Sequence, residues 1–132
     1  MVSTLNLLLL SIIQDNHPVD FYSVSPVPLG MESGAILDSQ ISASSVYSIT
    51  HAAQQARLHF KATGLTGSWS AGLNDMNQWL QVDLLQTTEV TRIATQGRNK
   101  VHQWVTKYKL QYSEDGHTFK FYMQNGDHSD TV

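Results

Sequence analysis

The 132-residue chain contains no cysteine, so no disulfide can stabilise its fold. By itself this absence is neutral or slightly favours a reducing compartment. Charged residues are also scarce, at 14% of the chain against the roughly 25% that is typical of soluble domains. The net charge is −3, and no basic stripe is present. Binding to nucleic acid or strong electrostatic attachment to acidic lipid is therefore not expected.

The chain also lacks an apolar run of the roughly 20 residues that a membrane-spanning helix needs. Its longest apolar block, Leu5–Ile13, has the length of a signal-peptide core, but no Lys or Arg precedes it and no clean cleavage site follows. Residues 1–27 are thus predicted to be an apolar possible signal segment and an extended lead-in. A secretory signal and an imperfect start of the gene model both stay open. Residues 28–132 are predicted to form one domain.

Alternating apolar and polar residues predict β-strands in the second half of the chain. Trp79–Leu84 has the period of two that a half-buried strand requires. Trp104–Ser113 alternates over a longer stretch and places Tyr108 on an aromatic inner face. Glu114–Gly116 then offers turn chemistry before the alternation resumes at Thr118–Tyr122. The last two strands are therefore predicted to form a hairpin.

Signals for catalysis or metal binding are weak. The segment Ser68–Gly72 resembles a nucleophile elbow, but Ser68 replaces its first glycine and no strand-to-helix turn is expected there. Six histidines, at positions 17, 51, 59, 102, 117 and 128, lack the spacing of a zinc site, and we interpret them as scattered surface residues. Asp127 and Asp130 could offer oxygens to Ca²⁺, which needs six to eight ligands, so calcium is possible but unsupported. We predict no enzyme activity and no cofactor.

Several separate motifs, in the right order, resemble the discoidin domain, the type-C domain also found in coagulation factors V and VIII. The motifs are Pro28–Ile36, Gln40–Ser45, Ala56–Leu58, Trp69–Ala71, Trp79–Leu84, Val90–Ile93, Thr95–Arg98 and Trp104–Gly116. The resemblance implies an all-β fold, an antiparallel jelly-roll β-sandwich or distorted barrel. It also implies an extracellular, non-enzymatic binding domain, either secreted or part of the ectodomain of a larger protein.

Compared with that family, the chain looks incomplete at its carboxyl end. Relatives commonly carry a cysteine where Ser25 stands and a partner cysteine at the end of the domain, and their last third closes the barrel. We therefore expect a partial domain in which strands such as Trp79–Leu84 and Trp104–Tyr112 have an unpaired side. Such a chain is expected to be marginally stable or prone to aggregation.

The resemblance implies that two polar loops bind the ligand at one end of the barrel. The first loop consists of Tyr47, Ser48, Ile49, Thr50 and His51, and the second loop of Arg98, Asn99, Lys100, Val101, His102 and Gln103. Together they offer an aromatic face, two cationic groups, amides and imidazoles. This is the chemistry with which proteins hold sugar rings or extended peptides.

Each of these residues also has a purely structural interpretation. Arg98 could pair with a carboxylate and hold the shape of its loop, and Tyr47 could pack over the barrel mouth. Asn99 and Lys100 could be solvated turn residues. The three tryptophans, at positions 69, 79 and 104, are expected in the core or at the barrel rim.

Two classes of ligand stay open after this comparison. The first is a cell-surface or matrix glycan or a protein such as collagen, bound by an adhesion or lectin-like module. The second is a membrane that contains phosphatidylserine, bound by apolar loop tips. Only Ile49 and Val101 are apolar in the two loops, and each contributes about 1.5 to 3 kcal/mol even when fully buried. The sequence therefore favours the glycan or protein ligand.

Overall fold

The computed structural model describes the backbone of residues 4–9, and residues 27–90 and 92–123. Its described regular structure consists of β-strands and single-turn 3₁₀ helices, which confirms the all-β prediction. The strands are β1 Thr4–Leu9, β2 Ile41–Ala43, β3 Gln78–Val82, β4 Lys107–Tyr112 and β5 Lys120–Phe121, and the 3₁₀ helices are Asp38–Gln40, Ile49–His51 and Ala53–Ala56. Within these described ranges, no helix has the length and apolar character to cross a membrane.

The strands form one mixed sheet with the order β2-β3-β1-β4-β5. The pairs β2–β3 and β4–β5 are antiparallel, and the second pair is the hairpin that the sequence predicts. In contrast, β1 pairs in parallel with both β3 and β4. Parallel neighbouring strands require a long connection between them. The chain provides such connections because β1 is far from both β3 and β4 in sequence. The described sheet is therefore not purely antiparallel.

The expectation that β3 and β4 have an unpaired side is wrong for the described strands. The β1 backbone lies between them and pairs with each, while β2 and β5 pair with their other sides. The edges of the sheet are then β2 and β5, which are three and two residues long. Short edge strands limit pairing with other molecules. Apart from β1, the predicted signal segment and lead-in lie largely in residues 10–26, which are outside the described part.

The core lies against β3, where every second side chain is buried. Leu80 and Val82 form the core with Ile36, Ile41 and Ala53, and the burial of β3 follows the predicted period of two. On β4, the half-buried residues Tyr108 and Leu110 pack against this core. The alternation in the sequence therefore identifies the inner face of both strands.

One of the three tryptophans departs from its expected position. Trp69 and Trp79 are half-buried, and Trp69 packs against the core. Trp104 is 59% exposed, so of its two expected positions, the core or the barrel rim, the core position is wrong. The reason is that β4 begins at Lys107, and Trp104 precedes the pairing that would turn its ring inward.

Arg57 ties the segment before β2 to the core. Its guanidinium is buried, and Nη1 donates to the Met31 carbonyl at 3.0 Å while Nη2 donates to the Ile36 carbonyl at 2.6 Å. Nη2 also forms an ion pair with Asp38 at 2.6 Å. These contacts fix the path of residues 31–38 over the core.

The turn between β4 and β5 is organised by Asp115. Its Oδ1 accepts hydrogen bonds from the Thr118 and His117 amides at 2.7 and 2.8 Å and from the Ser113 hydroxyl at 2.8 Å. These donors, and chiefly the two amides, stabilise the ionised carboxylate. They hold the pKa of Asp115 far below its usual range. The predicted turn at 114–116 is thus held by hydrogen bonds to the Asp115 side chain.

Candidate functional site

Strand directions place the two predicted loops at the same end of the sheet. Ala43 lies opposite Leu80 in the antiparallel pair, so the chain leaves β2 near the start of β3. Both β3 and β4 run parallel to β1 and therefore start at the same end. The first loop follows β2, and the second loop precedes β4. We refer to this end of the sheet as the loop end.

The first loop contains a single 3₁₀ turn, Ile49–His51, and an aromatic residue, Tyr47, that precedes it. The Tyr47 amide donates to the Ser70 carbonyl at 2.8 Å. The Tyr47 ring meets the His51 ring edge-on, with centroids 5.2 Å apart and an interplanar angle of 78°. Tyr47 is nevertheless 70% exposed, and Ile49 is 87% exposed. Tyr47 is therefore a supported but accessible side chain and does not pack over the barrel mouth.

His51 is buried, so our interpretation of it as a surface residue is wrong. Its Nδ1 lies 2.9 Å from the Ser48 hydroxyl and 3.1 Å from the Thr50 hydroxyl. Burial, and secondarily the positive charge of Arg98, lowers the pKa of His51. The imidazole is therefore neutral near neutral pH.

The second loop is a tight reversal closed by Arg98 and Gln103. The Arg98 amide donates to the Gln103 carbonyl at 2.8 Å, and Arg98 Nη1 donates to Gln103 Oε1 at 2.7 Å. Between them, Lys100 has a left-handed φ of 62°. Arg98 thus holds the shape of its loop, as its structural interpretation proposed, but through an amide where a carboxylate was expected. Its Nε is buried and has no hydrogen-bond partner in the part of the chain that the structure describes.

The outer surface of the second loop carries its remaining polar groups. Lys100, Val101, His102 and Gln103 are exposed, whereas Asn99 is half-buried. Neither loop contains a carboxylate in its sequence. The loop end therefore presents an aromatic ring, one exposed ammonium group and neutral donors, with Ile49 and Val101 as apolar tips.

A third segment, residues 65–70, was missed by the sequence analysis. The Thr66 hydroxyl donates to the Thr50 carbonyl at 2.7 Å, and the Ser70 amide donates to the His51 carbonyl at 3.3 Å. On its other side, Gly67 lies so close to the second loop that an added Cβ would be 3.3 Å from Asn99 Cβ. The segment thus lies between the two loops. The residue in it that signals a close approach of the backbone is Gly67, which has a φ of 68°.

Among the described residues, two of the clefts lie away from the outer surface of the loops. The larger, about 830 Å³, is lined by core residues such as Leu80, Val82 and Tyr108 and by Trp104, and we interpret it as an open side of the core. The smaller, about 360 Å³, is lined by Asp83 and by residues 113–116 at the opposite end of the sheet. Among the described residues, no group of three or more His, Asp or Glu side chains could hold a metal ion. Asp127 and Asp130 lie outside these residues.

Comparisons with known proteins agree with the architecture. The F5/8 type C domain family matches residues 40–132 of the chain. The chain belongs to the F5/8 type C, or discoidin, family. The predicted resemblance is thereby confirmed, as is the β-sandwich fold class of an extracellular domain. The sequence motifs around β3 and β4 lie within the matched residues.

Individual relatives are similar over most of this chain but are much longer. Coagulation factor VIII of Canis lupus familiaris is 44% identical over 112 residues, which are 81% of this chain and 5% of the relative. The human EGF-like repeat and discoidin I-like domain-containing protein 3 is 43% identical, with 80% and 23% covered. Lactadherin of Bos taurus is 39% identical, with 80% and 26% covered. The chain therefore spans about a quarter or less of these relatives.

Proposed function

We propose that this domain is a non-enzymatic adhesion module that binds an extracellular glycan or protein ligand, such as collagen, at the loop end. The observation that carries the proposal is the Tyr47 residue, which is 70% exposed although its backbone amide donates to the Ser70 carbonyl and its ring meets the His51 ring. A supported aromatic side chain loses little conformational entropy when a ligand covers it. Such rings stack well on sugar rings and on extended peptides.

The polar groups of the second loop can add directional hydrogen bonds to the stacking contact of Tyr47. Lys100, His102 and Gln103 are exposed on the second loop and can donate hydrogen bonds to hydroxyl or carbonyl oxygens. Arg98 is occupied by Gln103, so its main contribution is to keep the loop in shape. We therefore assign ligand contact chiefly to Tyr47 and to the exposed residues 100–103.

An array of glycans and collagens tests this proposal. Tyr47→Ala should weaken binding by about fivefold or more, as expected for truncation of a central aromatic contact. Tyr122→Ala is the matched control, because Tyr122 is also an exposed tyrosine but follows β5 and hydrogen-bonds through its amide to the Leu110 carbonyl. Equal binding by the folded Tyr47→Ala and Tyr122→Ala variants would contradict the proposal.

A second candidate is attachment to membranes that contain phosphatidylserine. The observation in its favour is the exposure of the apolar tips, with Ile49 at 87% and Val101 at 43%. Even complete burial of both side chains contributes only about 3 to 6 kcal/mol, which is weak for stable anchoring. We expect little co-sedimentation with phosphatidylserine vesicles at physiological salt. Tight binding that survives high salt and is lost in Ile49→Ser would instead favour the membrane ligand.

A further inference from the structure

Gln55 is one of the most completely buried side chains in the described part of the chain, at 2% exposure. It belongs to the 3₁₀ helix Ala53–Ala56. Its Oε1 accepts hydrogen bonds from the Thr66 and Gly67 amides at 3.1 and 3.2 Å and lies 3.3 Å from the Thr66 hydroxyl. A buried polar side chain with this many partners fixes the backbone that it contacts.

The segment that Gln55 fixes is in direct contact with the first loop. Thr66 approaches the Thr50 carbonyl twice, through its hydroxyl at 2.7 Å and through its amide at 3.3 Å. The hydroxyl has a single proton, and its shortest contact is the one to Thr50. The position of Thr66 therefore determines where the carbonyl side of the first loop lies.

The same segment also limits the approach of the second loop. Gly67 has a left-handed φ of 68° and leaves no room for a side chain. An added Cβ would lie 2.7 Å from the Phe60 carbonyl oxygen and 3.3 Å from Asn99 Cβ. Because glycine alone fits, the second loop can pack closely against the backbone of the segment.

We propose that Gln55 is a positioning residue of the loop end, because it holds Thr66 and Gly67 between the two loops and so sets the distance between them. Gln55 touches no ligand in this proposal. It acts through the hydrogen bonds to residues 66 and 67, and these act through Thr50 and Asn99. The consequence for ligand affinity rests on the proposed function, whereas the consequence for loop spacing does not.

The loop spacing can be measured without a ligand. Because the chain has no cysteine, Ile49→Cys with Val101→Cys provides two unique attachment points for nitroxide labels on exposed positions. Pulsed electron spin resonance then gives the distribution of distances between the two loops. In this background Gln55→Ala should broaden the distribution and shift it to longer distances. Gln55→Glu keeps acceptor oxygens for the same donors and should restore the distribution.

The neighbouring Gln54 provides the matched control, because it is a half-buried glutamine in the same 3₁₀ helix. Gln54→Ala should leave the distribution unchanged. A further variant acts downstream of Gln55 and serves where Gln55→Ala fails to fold. Thr66→Val removes the hydroxyl that contacts Thr50. It should displace the distribution while the chain stays folded.

The outcomes separate this inference from the proposed function. If folded Gln55→Ala and Thr66→Val give the same distance distribution as Gln54→Ala, Gln55 does not position the loops and the inference is overturned. If the distances shift and Gln55→Ala also binds the array ligand more weakly than Gln54→Ala, both are supported. If the distances shift while Tyr47→Ala binds normally, the inference stands and the proposed function fails.

Discussion

Replacing Arg57 by methionine should destabilise the domain strongly, although the residue lies away from the loop end. Methionine keeps much of the apolar volume but removes the guanidinium. The ion pair itself contributes little, because the side chain of Asp38 is 67% exposed and such pairs contribute about 0 to 1 kcal/mol. The larger effect comes from the Met31 and Ile36 carbonyls, which lose their donors.

Each unsatisfied carbonyl costs about 1 to 3 kcal/mol when it is buried. The sum for Arg57→Met is therefore about 2 to 6 kcal/mol, a large part of the roughly 5 to 15 kcal/mol that stabilises a typical domain. Asp38→Asn is the control. It removes the charge but keeps an acceptor for the guanidinium, and it should cost less than about 1 kcal/mol.

Urea unfolding followed by tryptophan fluorescence measures both effects. The midpoint should fall far more for Arg57→Met than for Asp38→Asn, with similar slopes for the two variants. Equal midpoints would show that the carbonyl contacts do not stabilise the segment before β2, and the energetic argument for Arg57 would be refuted.

Three further predictions concern the core, the turn and the buried histidine. Leu80→Ala in the core should cost about 2 to 5 kcal/mol, whereas the exposed Leu73→Ala should cost little, and urea unfolding measures both. Asp115→Ala should accelerate amide hydrogen exchange at residues 117 and 118, because it removes their acceptor; unchanged exchange would contradict this. Since the pKa of His51 is lowered from 6.5, its contribution to stability is complete above pH 6.5 and is lost as the pH falls towards the lower folded pKa. His51→Gln should reduce this pH dependence, which unfolding curves from pH 7.5 to 5 would reveal.

The sequence predicts well those features that depend on local alternation. β3 overlaps the predicted segment Trp79–Leu84, β4 lies within the predicted segment Trp104–Ser113, and Leu80 and Val82 face the core as expected. The hairpin follows from turn residues between adjacent strands and is also confirmed. In these cases the residues that determine the structure are close together along the chain.

Features that depend on distant contacts could not be predicted in the same way. His51 is buried and its ring meets the Tyr47 ring, and its own sequence context does not reveal this. The contacts of Gln55 with residues 66 and 67 likewise appear only after the chain folds back. The place of β1 between β3 and β4 is a third example, since a short apolar block suits a signal peptide and a buried strand equally.

The most direct test of the proposed site is an NMR titration of the domain with a glycan or collagen peptide that the array selects. Our account predicts that the largest changes in amide chemical shift occur at the loop end, at Tyr47 and at residues 100–103. Changes concentrated instead at Asp83 and residues 113–116, which line the cleft at the opposite end of the sheet, would contradict it.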